Sequence, residues 1–274
     1  MAANNTKASL SDSVVDLMNQ AVIVSGNSYN KVDAYATIRQ EDMASSIAFT
    51  VFSRMAAATT ALTDATEATS TVMVDTKVTL TMAEYGAVIT STSLANIATA
   101  GKADLASAEL VGVNLGETTD TLGLTVLEAG TNTIAADNAG TLDNLDLREA
   151  YTALATAGIA KFPDGRFVAF VNPAQISDIK GDYVTIAQNT DIGAATSGIV
   201  GALEGFTIVE DSNVTAGTAV CFGMNALGKA VALAPALRVV DGSDNLGRTV
   251  NVGWYGVLKY GVIDQNALRV LTGV

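Results

Sequence analysis

Four stretches of this chain carry residue types that could do chemistry. Gly223-Met224-Asn225-Ala226-Leu227-Gly228-Lys229-Ala230 matches the phosphate-cradling pattern G-x-x-x-x-G-K up to its last position. A nucleotide site of that kind needs a Ser or Thr hydroxyl after the lysine to ligate Mg²⁺, and a helix whose N-terminus faces the phosphate. Ala230 stands where the hydroxyl is needed, and Val231-Ala232-Leu233-Ala234-Pro235 reads as strand, so the segment is expected to be a hairpin turn. Asp241-Gly242-Ser243-Asp244-Asn245 offers oxygen ligands for a hard cation such as Ca²⁺ or Mg²⁺, but the same residues are ordinary Asx-turn chemistry, which is the simpler reading. Asp143, Asp146 and Glu149 could supply an acid/base pair. At a helix start they are better read as solvated carboxylates favoured by the helix dipole. Cys221, between Val220 and Phe222, reads as a small buried residue of an apolar strand and not as a nucleophile.

Composition narrows the chemistry further. The 274 residues include no His, one Cys, one Trp and three Pro, with 15 basic and 28 acidic residues giving a formal charge of -13. His is the commonest general acid/base near neutral pH and the commonest metal ligand, so its absence removes most hydrolase and metal-site mechanisms. The expectation is a non-enzyme with no catalytic residue, no cofactor-binding residue and no metal ligand. One Cys leaves no intrachain disulfide. A pI near 4.3, with basic residues scattered from Lys7 to Arg269, argues against a surface built to grip nucleic acid, because phosphate binding needs clustered Lys and Arg. The opening MAANNTKASLSDS lacks a charged stretch followed by an apolar one, and no apolar run approaches the roughly 20 residues of a bilayer span, so neither export nor a membrane partner is expected.

The elements that must position these residues start with an interrupted hairpin. Residues 46–54 and 74–82 are strand-like, and the second run alternates Val74, Thr76, Val78, Leu80 and Met82 with Asp75, Lys77, Thr79 and Thr81. The linking residues 55–73 hold no Gly, no Pro and few large apolar side chains, so they cannot build a core. Two strands alone are marginal in water. Such an arm needs another surface, and the simplest is a neighbouring copy of the same chain. The residues assigned to that inter-subunit contact are Arg54, Met55, Leu62, Asp64, Glu67, Met73, Asp75 and Lys77.

Before the hairpin, a short amphipathic helix is expected through Val14, Val15, Leu17, Met18, Ala21 and Val22, ended by Ser25-Gly26-Asn27-Ser28. After it, residues 83–90 carry the strand into a turn, and a long helix runs from about 103 to 128 with Leu105, Ala108, Val111, Leu115, Leu122 and Val126 as its stripe. Gly112, Gly116 and Gly123 each weaken that helix by about 1 kcal/mol relative to Ala, so packing must hold it, with the glycines admitting a close backbone. A second helix is expected from 143 or 144 to about 158, capped by Gly158. A strand at 166–171 then leads through Asn172-Pro173 to a short helix over 175–180. Strands at 206–210, 219–223, 230–234, 237–241, 249–263 and 268–271 complete an α+β fold.

This order of elements, with the Val78-Thr79-Leu80-Thr81-Met82-Ala83-Glu84-Tyr85-Gly86 segment, the Phe167-Val168-Ala169-Phe170-Val171-Asn172-Pro173 segment and the Gly-bounded stretch 198–209, resembles a tailed-phage major capsid protein of the Hong Kong 97-type fold. The resemblance implies an N-terminal arm over 1–42 and an extended loop over 43–82. It implies a peripheral domain over 83–160 and 235–274 with its spine helix at about 103–128, and an axial domain over 161–234. It implies a structural protein whose copies form the hexamers and pentamers of an icosahedral phage head around double-stranded DNA, assembled in the host bacterial cytoplasm. Scaffolding, portal and decoration proteins are the further partners of such a shell. In some relatives a Lys of the extended loop bonds covalently to a neighbour's Asn; residues 55–73 contain no Lys, and Lys77 sits in the returning strand. An encapsulin-like nanocompartment shell is the alternative within the same fold. The Thr, Ala and Gly bias also fits a β-rich surface adhesin or tube protein.

Overall fold

A computed structural model describes residues 29–59, 70–99, 102–137, 140–187, 201–241 and 248–274, together with 20, 22, 24, 26, 61 and 64. Strands β1 (Thr37–Gln40), β2 (Ser46–Phe52), β3 (Asp75–Thr81) and β4 (Ala83–Thr92) precede helices α1 (Ser93–Ala98) and α2 (Lys102–Glu128). Then come β5 (Thr133–Ala135), α3 (Asn144–Thr156), β6 (Phe167–Val171), α4 (Pro173–Ala187), β7 (Ala202–Leu203), β8 (Phe206–Glu210) and β9 (Thr218–Phe222). Two long strands, β10 (Leu227–Asp241) and β11 (Thr249–Val262), and the last strand β12 (Leu268–Thr272) complete the α+β order.

The strands form a four-stranded sheet in the order β1-β10-β11-β4, a six-stranded sheet in the order β5-β12-β9-β6-β8-β7, and the separate β2-β3 hairpin. Helix α2 covers one face of the four-stranded sheet, where Ala108 and Val111 pack with Val252 and Trp254. The Trp254 indole N–H also donates to the Asn114 side-chain oxygen at 3.0 Å. The far end of α2 drives Leu124 and Leu127 into a core shared with both sheets, among Val168, Phe170, Phe222, Leu258 and Tyr260. Strand β6 is buried on both faces: Val168 and Phe170 face that core, while Phe167, Ala169 and Val171 meet Leu147, Ala150 and Leu154 of α3 and Ile176 and Ile179 of α4.

Helix α3 follows its local chemistry closely. The Asp143 side chain accepts from the Leu145 and Asp146 N–H groups at 2.8 and 3.0 Å, and the Asp146 side chain accepts from the Asp143 N–H, closing a capping box. Gly158 at φ 69° then ends it, with the Gly158 and Ile159 N–H groups donating back to the Ala155 and Leu154 carbonyls. Asp146 is fully buried and also accepts from the Asp137 N–H at 3.0 Å, so it is not the solvated carboxylate expected of a helix start.

Other expectations are corrected. Residues 20, 22, 24, 26 and 29 are helical and the Asn30 N–H donates to the Gly26 carbonyl, so the polar stretch at 25–28 does not end the N-terminal helix; packing of Gly26 against Gly112 and Leu115 holds it. Residues 83–92 are not the lead into a turn but a ten-residue strand, aligned along β11 from Leu258 to Thr249. The strands expected at 230–234 and 237–241 are one strand, β10, which carries Pro235 through two irregularities of register while Gly256 of β11 leaves room for the proline ring. On α2 the covered face is built from Ala108, Val111, Gly112, Gly116, Gly123, Leu124 and Leu127, whereas Leu115, Leu122 and Val126 are half-buried. The side chain of Leu105 lies outside the described residues. The helix after Pro173 extends well past 180. The chain passes between the two sheets at residues 223–226 and again at 263–267.

Candidate assembly interface

The hairpin is in register along its length, from Ser46 opposite Thr81 to Phe52 opposite Asp75, and the Ser53 N–H still donates to the Val74 carbonyl at 2.8 Å. Its base is packed on its own subunit. Ile47, Phe49 and Leu80 are buried with Ala230 and Ile263, and Val51, Val78 and Met82 pack at the edge of that cluster. Farther out the cover ends: Phe52 is 58% exposed, and Met55, Val72, Met73 and Val74 are open as well. Apolar side chains at this spacing gain roughly 25 cal/mol for each Å² they remove from water, so an arm that exposes several of them favours a partner surface.

The residues assigned to contact a neighbour fall as follows. Met55, Asp64, Met73, Asp75 and Lys77 are exposed along the outer arm. Leu62 and Glu67 lie outside the described residues. Arg54 is exposed too, yet its guanidinium sits beside Gly158 at the C-terminal end of α3, where a Cβ on Gly158 would lie 2.8 Å from Arg54 Nη1. A cation is favoured there by the helix dipole. Phe52 and Val72, outside that set, are exposed beside it, and the signal for them in the sequence is that large apolar residues flank a segment with no core of its own.

A second open surface lies on the four-stranded sheet. Gly86, Ala87, Val88, Arg238, Val240, Asn251, Gly253 and Trp254 line a shallow depression of about 270 Å³. Val88 and Val240 stand exposed at its walls, and Arg238 leans over the Tyr255 ring at 4.8 Å.

Two of the stretches that could have done chemistry have structural surroundings, at Gly223–Ala230 and at Cys221. In the Gly223–Ala230 segment residues 223–226 are a turn, with Asn225 at φ 64° and the Ala226 N–H donating to the Gly223 carbonyl, and the rest begins β10; the turn links β9 of one sheet to β10 of the other and so is not a hairpin. No helix follows it, and Lys229 is buried in an ion pair with Asp33. Cys221 is buried in β9, where desolvation pushes its thiol pKa up. Residues 242–247, the core of the possible cation loop, lie outside the described residues.

A family profile described as phage capsid protein matches residues 106–271, more than half of the chain. The chain belongs to this phage capsid protein family. The match starts in α2 and ends in β12, so it takes in the six-stranded sheet and strands β10 and β11 of the other, while β1, β4 and the hairpin arm lie outside it. The fold is that of the Hong Kong 97-type capsids. It superposes on the acid-stable capsid of Helicobacter pylori bacteriophage KHP30 with a TM-score of 0.69 at 10% identity, covering 88% of this chain and 90% of that one. For the virus-like particle of Pyrococcus furiosus the TM-score is 0.63 at 12% identity, with 94% and 99% covered. For Mycobacterium phage Che8 it is 0.59 at 17% identity, with 84% and 85% covered. No curated protein sequence matches this chain. This family member is thus a structural shell protein and a component of a virion.

Proposed function

We propose that this chain is the major capsid protein of a tailed-phage head, assembling as hexamers and pentamers into an icosahedral shell around double-stranded DNA in the host bacterial cytoplasm. The observation that carries the reading is the arm itself: its base is buried at Ile47, Phe49 and Leu80, and farther out Phe52, Met55, Val72, Met73 and Val74 present apolar side chains to solvent. In this reading the outer arm, with Arg54, Met55, Leu62, Asp64, Glu67, Met73, Asp75 and Lys77, lies on a neighbouring copy. The depression between Val88 and Val240 is its landing surface, with Arg238 meeting the arm's carboxylates. A head-to-tail contact of this kind closes into rings when its rotation permits.

The six-stranded sheet with α3 and α4 is the axial domain, and the four-stranded sheet with α2 as the spine helix is the peripheral domain. With a formal charge of -13 the wall contains DNA without gripping it, and scaffolding, portal and decoration proteins are the further partners. A shell enclosing cargo proteins is the second reading, favoured by the likeness to the Pyrococcus furiosus virus-like particle along 99% of that chain. Nucleic acid in purified particles supports the first reading, and protein cargo the second. The profile match and the capsid neighbours give the adhesin or tube reading no support. The test of the arm is deletion of residues 55–73: the subunit is expected to fold and to form no shells, and native-size particles from the deletion mutant would count against the role given to it.

A further inference from the structure

Residues 30–33 are tied by polar contacts to three parts of the molecule at once. Asn30 Nδ2 donates to Thr119 Oγ1 on α2 and to Asp33 Oδ2, both at 2.8 Å. Lys31 Nζ donates to the Glu210 carbonyl at 2.7 Å and lies 3.4 Å from Asp211 Oδ2, at the end of β8. Asp33 pairs with Lys229 of β10 and accepts from the Tyr260 hydroxyl of β11 at 2.7 Å.

At the centre is Asp120 of α2, which is fully buried. Its Oδ1 accepts from the Lys31 and Val32 N–H groups at 2.9 and 3.1 Å, and its Oδ2 accepts from Asn213 Nδ2 at 3.0 Å. One oxygen therefore holds the N-terminal segment, and the other holds Asn213 in the connection between β8 and β9, which is also tied at Thr215 to Glu128 and at Val214 to Asn172. The charged and titratable groups around it are Lys31 and Asp33 from the N-terminal segment, Asp211 from the β8–β9 connection, Lys229 from β10 and Tyr260 from β11.

The two oxygens respond differently to a proton. An ionised carboxylate accepts all three donors. A neutral carboxyl group keeps a full acceptor oxygen for the two backbone N–H groups but turns Oδ2 into a hydroxyl, a poorer acceptor, so the Asn213 bond is the one that weakens. Burial and the neighbouring Asp211 charge both raise the Asp120 pKa above the ordinary carboxylate value, although its hydrogen bonds pull the other way.

We propose that Asp120 is an acid-loosened clasp: taking up a proton weakens its hold on Asn213 and so loosens the β8–β9 connection at that residue, while the N-terminal segment stays fixed to α2. The clasp belongs to the single chain and holds whatever the shell encloses.

The test is hydrogen–deuterium exchange of the full chain at about pH 7 and about pH 5, with each rate divided by its intrinsic value. In the wild type, exchange across residues 211–216 is expected to rise about tenfold on acidification while residues 31–36 stay protected. Asp120→Asn should abolish the step. Asn213→Ala should show raised exchange at both pH values with no further step, which keeps the test open if the Asp120 variant does not fold. Asp146→Asn, at a buried carboxylate outside this cluster, should leave the step intact. Absence of the step in the wild type, its survival in either clasp variant, or its loss in Asp146→Asn would overturn the proposal.

Discussion

A Cβ on Gly116 would lie 2.4 Å from the carbonyl oxygen of Gly26, so the N-terminal helical segment and α2 meet backbone to backbone. On an open helix face Gly116→Ala would gain about 1 kcal/mol of helix propensity. Here the obstacle is backbone, which cannot rotate away, and overpacking of this kind costs about 1–3 kcal/mol. Gly116→Ala is therefore expected to lower the unfolding midpoint. Gly123→Ala should cost less, because its nearest obstacle is the Val32 side chain. Equal midpoints for Gly116→Ala and the wild type would contradict the contact.

The Asp33–Lys229 pair predicts an asymmetry. The Lys229 side chain is 9% exposed and has, besides Asp33, the Tyr260 ring at 5.3 Å. Asp33→Ala leaves that ammonium buried and uncompensated, at a cost of about 3–5 kcal/mol. Lys229→Met keeps the packing and leaves Asp33, the more open partner, to water, so its loss in denaturant unfolding should be clearly smaller. Matching losses would show that burial of the lysine is not the deciding term.

Asp146 gives a pH dependence. Burial is the main cause raising its pKa above the ordinary carboxylate value, against the Asp137 and Asp143 N–H bonds, so the folded chain holds this proton more tightly than the unfolded one. The stability from this group is full below the unfolded-state value and is lost as pH rises through the raised folded value. Against the wild type, Asp146→Asn should show a smaller fall in melting temperature with rising pH across the mildly acid range. A curve of unchanged slope would be the contrary result.

Covalent linkage is not expected in the shell. Lys77 stands exposed on β3, on the face away from Leu80, and residues 55–73 hold no other lysine. Isopeptide formation needs an amine held against an amide in a dry site, and the nearest alternative, Arg54, offers only a guanidinium, a poor nucleophile, beside Gly158. Particles boiled in denaturant should run as one band at 28.0 kDa. A ladder of multimers would contradict this.

What could be read from the sequence was what local chemistry decides. The hairpin register follows from period-two alternation, α3 from the Asp143 cap and Gly158, and the extent of α2 from its unbroken pattern. What could not be read depends on distant partners. The face of α2 that is buried is set by Gly26 and Val32, which only the fold brings to Gly116 and Gly123. Pro235 reads as a strand end unless Gly256 is known to lie opposite. Asp120 looks like one more surface acid until Lys31, Val32 and Asn213 converge on it. At the interface, the alternation of β3 marks an apolar face but not where cover by its own subunit stops, which Leu80 and Val74 reveal only in three dimensions.

The central claim is that this chain closes into shells of its own copies, and the most direct measurement is negative-stain electron microscopy of the expressed full-length chain. Closed particles of uniform diameter are the predicted result; a dispersed, folded monomer at the same concentrations would contradict the account.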